Sequence, residues 1–189
     1  MSKRIASSAF QVVEQTEKDI RSRLKGGHLD FTAMSAVSNI YRAGTSVRNH
    51  MERTVLADYE LSWIAFTVLW ILWIWGEQET GHVAAEAGVT KGTLTGVVRT
   101  LQGRKLVVRT SQKADRRRVD IRLSATGEKL IAKIFPLFNK EEHEVMVGVT
   151  AAEQRELARL LRIVNAHMHE GIDDLHIHYM TYVYEHTYT

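Results

Sequence analysis

The sequence predicts a mainly α-helical protein with a small β-wing: a winged helix-turn-helix domain plus a helical dimerisation region drawn from both chain ends. Three observations predict it. Residues 80–127 read as two short helices followed by two strand-like runs around a charged tip. Apolar residues recur every three or four positions on both sides of that block, which is the period of amphipathic helices. Ten basic residues lie between Lys91 and Arg122, opposed only by Asp115 and Asp120, so this segment is +8 in a chain of net charge +3.

Residues 1–30 form an N-terminal extension helix that ends near Gly26-Gly27. Residues 31–60 carry one long amphipathic helix from Ala33 to Leu56, with Val37, Ile40, Gly44, Val47, Met51 and Val55 on its stripe. The winged domain, residues 61–124, opens with Leu61–Trp75, which is apolar on every side. At fifteen residues it is shorter than the ~20 needed to cross a bilayer, and Glu60 and Glu77 flank it. It therefore reads as a buried central helix, and no membrane partner is expected.

Gly76–Glu79 breaks that helix. Next, Val83, Ala84, Ala87, Gly88, Val89, Leu94 and Val97 fall where two packed helices need small or apolar residues. Gly88 suits a left-handed turn between them, and the Thr90 hydroxyl can cap the second. Strand-like runs on both sides of Lys113–Arg118 complete the wing.

Residues 125–171 return to helix. Ser124 can cap a helix carrying Leu130, Ile131, Ile134, Leu137 and Phe138, which Pro136 should kink. Thr150–Glu153 spells a capping box. The helix it opens has the stripe Leu157, Leu160, Leu161, Val164 and Met168, and Gly171 is its expected end. Residues 172–189 form a tail rich in His and Tyr without a clear period.

Composition limits the chemistry. With 189 residues, 44% of them hydrophobic, the chain can bury a sizeable core. The absence of cysteine excludes disulfides, thiol catalysis and cysteine metal sites, and suits a reducing cytoplasm. The first residues lack the apolar core of a secretory signal. No GxSxG, P-loop or dinucleotide fingerprint occurs, so neither an enzyme nor a cofactor is expected. The basic segment on an otherwise acidic chain is the footprint of a polyanion binder.

The stretches VAAEAGVTKGTLTGVVRTLQGRKLVVR and DRRRVDIRLSATG resemble the DNA-binding helices and the wing of the MarR family of bacterial winged-helix regulators. The similarity runs from about Ala33 to Met168. It implies a homodimer, joined by helices from both chain ends, that binds the two halves of a palindromic operator in double-stranded DNA. It also implies release by a small aromatic or amphipathic molecule. The family usually has Gly where this chain has Lys105. A left-handed cap is costlier for Lys, which predicts a differently shaped helix end.

On the second helix Leu94, Val97, Val98 and Leu101 should face the core. The outward face then carries Gly92, Gly96, Arg99 and Gly103, with Thr93, Thr95 and Thr100 beside them. Arg99 is the candidate base reader, because Arg can bond guanine O6 and N7 together. Thr93 and Thr95 suit bases, thymine methyls or phosphates, and Thr90, Lys91 and the first helical amides suit a phosphate. Side chains alternate along a strand, so Arg116, Arg117 and Arg118 cannot all point one way. The resemblance implies that Arg117 enters the minor groove and that Asp115 orients a neighbouring Arg, with Arg116 and Lys113 on phosphates.

By the same resemblance an effector pocket lies near Trp63 and Trp70, with Arg42, Arg48 and His50 available to an acidic ligand head. The plain alternative is that the tryptophans are core. Short histidine spacings (His167 and His169, His176 and His178) raise a metal-responsive regulator as an alternative, but helical residues two apart face different ways, and no metal site is assigned. A second alternative is a non-enzymatic protein whose basic segment binds RNA or an acidic partner. The leading reading is a DNA-binding regulator acting as a repressor.

Overall fold

A computed structural model describes residues 2–24, 28–111 and 119–169, and the chain divides into two compact units, Met1–Asn49 and His50–Thr189. Helix α1 (Ser2–Arg23) and most of α2 (Phe31–Arg53) belong to the first. The start of α2 lies earlier than the apolar period suggests. The Asp30 carboxylate accepts from the amides of Thr32 and Ala33 at 3.0 and 2.9 Å, so capping sets the boundary. Polar contacts pair the two helices: Asn39 donates to Glu17 at 2.8 Å, and Arg21 lies over the Phe31 ring at 5.5 Å. Val12, Val37, Ile40 and Tyr41 are exposed.

The second unit holds the core. The last turn of α2 leads into a 3-10 turn, Ala57–Tyr59, and then into α3 (Trp63–Trp75). Ser62 caps α3 by accepting from the Ala65 amide, and the Glu52 carboxylate takes the Trp63 amide at 2.8 Å. Val68, Leu69, Ile71 and Leu72 are fully buried, as an all-apolar helix requires. The four tryptophans are not. They sit half-buried or exposed along the rim, so neither a pure core role nor an enclosed pocket describes them.

The segment expected only to break α3 also contains a strand, β1 (Gln78–Glu79). Two residues carry no readable alternation, and pairing alone defines them. Helices α4 (Thr80–Glu86) and α5 (Lys91–Gly103) follow, then β2 (Val107–Ser111) and β3 (Val119–Leu123). The sheet is antiparallel in the order β1-β3-β2, with Val107 opposite Leu123 and Gln78 opposite Ile121. Helix α6 (Ala125–Val145) runs unbroken through Pro136. Ala132 and Pro136 lie on its exposed face, where water can serve the carbonyl that loses its partner. The capping box of α7 (Ala151–His169) is formed: the Glu153 carboxylate accepts from the Thr150 amide at 2.8 Å and its hydroxyl at 2.7 Å.

Three segments close in the same six-residue cap, in which a left-handed residue turns the chain. At the end of α4 this residue is Gly88, φ 63°. Below α2 it is Glu60, φ 51°, with Leu61 donating back to Leu56 and Glu60 to Ala57. At the end of α5 it is Lys105, φ 58°, with Leu106 donating to Leu101 and Lys105 to Gln102. The expectation of a differently shaped α5 end is thus overturned. The burial of Leu101 and Leu106 and the two capping bonds outweigh the roughly 1–2 kcal/mol that a side chain costs in this conformation.

Candidate nucleic-acid interface

Helix α5 is held by its inner face. Leu94, Val98 and Leu101 are buried, and Val97 is half-buried at the edge of the stripe. Thr90 caps the helix, its hydroxyl accepting from the Thr93 amide at 3.1 Å. The opposite face is open: Lys91, Gly92, Thr93, Thr95, Gly96, Arg99, Thr100 and Gly103 are all exposed. The sequence-predicted outward face is thereby brought together on one helix side.

The threonines on that face are not free rotors. The Thr95 hydroxyl donates to the Lys91 carbonyl at 2.8 Å, and the Thr100 hydroxyl to the Gly96 carbonyl at 3.2 Å. Each proton is committed to the helix, which leaves the hydroxyl oxygen as an acceptor and the methyl as an apolar contact. The glycines have no internal explanation. A Cβ at Gly96 or Gly103 would meet nothing within 4 Å, and one at Gly92 would meet only the Thr90 hydroxyl, at 3.8 Å. Gly127 is the opposite case. Its Cβ would fall 2.1 Å from the Leu106 carbonyl, so the last position of the sequence's LSATG run is fixed by close packing of α6 on the end of α5.

Not every basic residue of the segment faces outward. Arg104 donates through Nη1 to the Glu60 carbonyl and through Nη2 to the Tyr59 carbonyl, both at 2.8 Å. The charge count of the sequence placed it with the polyanion-binding residues, and nothing in its spacing signalled this bond across 44 residues. The wing residues Lys113, Asp115, Arg116, Arg117 and Arg118 lie outside the described residues.

The residues proposed around a ligand do not form one cluster within either unit. Arg42, in the first unit, lies 3.5 Å from Glu17 and 3.3 Å from Asn39, and Arg48 is exposed. In the second unit, the His50 ring is taken by Glu141, Nε2 to Oε2 2.7 Å, so it is not an open ring awaiting a ligand. Trp63 packs on Phe138, with ring centroids 5.9 Å apart, whereas Trp70 stacks on Phe135 at 4.5 Å beside Trp73. These are separate aromatic contacts along α3 and α6. Beside His143, burial pushes the Glu142 carboxyl above its ordinary range, against a hydrogen bond from Asn139 that lowers it. No group of three or more His, Asp or Glu residues able to hold a metal occurs among the described residues. His176 and His178 lie outside them. No described helix is long and apolar enough to cross a membrane.

Comparison with known proteins supplies the context. The MarR family model matches residues 61–119. The chain is 35% identical over 166 residues to the HTH-type transcriptional regulator YwaE of Bacillus subtilis, covering 86% of this chain and 97% of that protein. Among solved structures, Bordetella bronchiseptica BpsR, whose DNA binding is regulated by 6-hydroxynicotinic acid, is similar with a TM-score of 0.65 and 25% identity, covering 69% of this chain and 98% of BpsR. A cysteine-to-serine mutant of Escherichia coli MarR in complex with operator DNA has the same fold, with a TM-score of 0.65 and 19% identity, covering 73% of this chain and 99% of that one. The chain belongs to the MarR family of DNA-binding transcriptional regulators.

Proposed function

We propose that this regulator binds a palindromic operator as a cytoplasmic homodimer, acts as a repressor, and is released by a small aromatic ligand. The observation that carries the reading is the outward face of α5. Gly92 in the first turn of α5 and Gly96 in its middle stand where neither backbone angle nor internal packing requires glycine. At the mid-helix position Gly96 costs the helix roughly 0.5–1 kcal/mol. Close approach of the helix backbone to a major groove accounts for them. In that pose Arg99 reads a base, Thr93, Thr95 and Thr100 offer acceptors and methyls, and Thr90 and Lys91 meet a phosphate at the helix start. Lys113, Arg116, Arg117 and Arg118 supply the wing contact, with Asp115 orienting one of them.

The homodimer reading is supported by the apolar residues left uncovered on α2 and α7, in the regions 31–60 and 125–171. The winged domain is 61–124. Release by an aromatic compound is supported by the regulation of BpsR by 6-hydroxynicotinic acid and by the aromatic rim of α3, where Trp70 and Trp73 remain partly open.

Paired variants test the DNA site. Gly96→Ala should stabilise the free protein by about 0.5–1 kcal/mol and weaken operator binding, because the new methyl stands where the groove must come. Arg99→Ala should relax preference at one base position at a cost of about 1–3 kcal/mol. The readouts are thermal melts and titrations against single-base variants of a duplex selected by the wild type. If Gly96→Ala binds as tightly as the wild type and Arg99→Ala keeps the same base profile, α5 is not the reading helix.

A further inference from the structure

We propose that Arg104 is a positioning residue that fixes the recognition helix to the 3-10 turn that follows α2, rather than one of the DNA-contacting cations. Among the described residues only Glu60 and Lys105 have positive φ without being glycine. They stand at the two ends of one connection. Glu60 ends the turn below α2, and its carbonyl accepts from Arg104. Lys105 ends α5 and directly follows Arg104 in the chain. Conformations that a side chain disfavours persist where surrounding structure holds them, and here the guanidinium spans the two.

The bonding accounts for the choice of arginine. The carbonyls of Tyr59 and Glu60 lie at the end of a helical turn, where they carry partial negative charge and lack partners in their own segment. A planar fork reaches both at 2.8 Å, which a point charge on a flexible stem does not reproduce. Arg104 is half-buried, with both terminal nitrogens directed at protein oxygens. The same turn is gripped from α6, where Lys133 stands 5.3 Å from the Tyr59 ring centre.

The far side of the α5 end is bolted as well. The Ser124 hydroxyl donates to the Lys105 carbonyl at 2.6 Å, and the Ser124 amide donates to the Leu106 carbonyl at 3.0 Å. Gly127 lets α6 press against that carbonyl. The C-terminus of the recognition helix is therefore tied at once to the 3-10 turn that follows α2 and to the start of α6. Under the homodimer reading, on which this inference rests, those two helices set the separation of the paired recognition helices. Arg104 then makes α5 follow them.

The test uses the full-length chain with R104M and R104K. The probes are a duplex selected by the wild type from a random pool and the same duplex with one base pair added between half-sites. R104M should lose about 10- to 100-fold in affinity, the worth of one or two displaced base contacts, while keeping the wild-type salt slope. It should also discriminate less between the two spacings. R104K should not restore either property. A salt slope reduced by about 0.9 in R104M, with recovery in R104K, would make Arg104 a phosphate contact and overturn the proposal. Amide exchange of the DNA-free protein gives an answer that does not depend on DNA. Both variants should exchange faster at residues 57–61 and 104–107 with the rest of α5 unchanged, and unchanged exchange there would also overturn it. R104K serves this measurement if R104M does not fold. A wild type that selects no duplex counts against the operator reading, while the exchange result still decides the clasp.

Discussion

Helices α5 and α7 begin alike and end up in different circumstances. Each opens on a threonine whose hydroxyl accepts from the amide three residues on, Thr90 from Thr93 and Thr150 from Glu153. Each carries leucines and valines at helical spacing. Yet in α5 Leu94, Val98 and Leu101 are 1%, 1% and 0% exposed, whereas in α7 Leu157, Leu160 and Val164 are 42%, 46% and 42% exposed. The first stripe is covered by α4, α3 and β2 of the same chain, so α5 belongs to a finished core. The second has no such cover among the described residues. Amphipathic spacing specifies that a face is to be buried, and it leaves open which surface buries it.

The largest effect should come from charging the uncovered stripe. L160E combined with L161E places two carboxylates in the proposed dimer seam. The double variant should sediment as a monomer with helical circular dichroism retained, and should bind the full operator about 10²- to 10⁴-fold more weakly, the loss of bivalent attachment. A folded monomer that binds the full operator with wild-type affinity would end the dimer model.

Truncating the covered stripe should act differently. Leu101→Ala removes a fully buried side chain and should cost about 2–5 kcal/mol of stability at any protein concentration. Leu160→Ala, by contrast, should lower the melting temperature in a way that depends on concentration, because the proposed dimer places its neighbours on the partner. Melts over a wide range of concentration separate the two. Identical concentration dependence in both variants would erase the distinction between the helices.

A smaller effect sharpens the picture of the α5 end. Lys105→Gly removes the side-chain penalty of a left-handed residue but adds freedom to the unfolded chain, so the net gain should be about 0.5–1 kcal/mol. For a domain of this size that is a rise in melting temperature of about 1–4 °C. A fall would mean that the Lys105 side chain itself holds the cap.

The smallest effect concerns the α7 cap. Hydrogen bonds from the Thr150 hydroxyl and amide hold the Glu153 carboxyl below its ordinary range. A carboxyl depressed in the folded state stabilises that state above its unfolded pKa, and the contribution disappears as pH falls through the folded value. The melting temperature of Glu153→Gln should therefore fall less steeply than that of the wild type on acidification below about pH 4.5. Parallel curves would remove the cap as a source of acid sensitivity.

Much of this architecture was legible in the sequence because its signals are local. Gly88, Thr90, Ser124 and the Thr150–Glu153 box act on amides within a turn of themselves, and the period of Leu94, Val98 and Leu101 names the inner face of α5 without reference to anything else. The outward residues of the proposed DNA site follow from the same period. The two-residue strand β1 carried no such signal, since only its pairing with β3 makes it a strand. The left-handed Lys105 ran against the preference of its own side chain and is held by two capping bonds and by Ser124, 19 residues away.

Local pattern was enough for the long helices, the caps at Thr90, Ser124 and Thr150, the basic segment and the resemblance that carries the family, since each depends on residues within a turn or a short motif. Packing between distant segments settled which polar side chains are spent inside the protein and which apolar faces stay open. Arg104 reads in the sequence like Arg99, and His50 reads like a free ring. The first is claimed by carbonyls 44 and 45 residues away and the second by a carboxylate 91 residues away. Contacts across such separations depend on how helices meet, and no local spacing encodes that meeting.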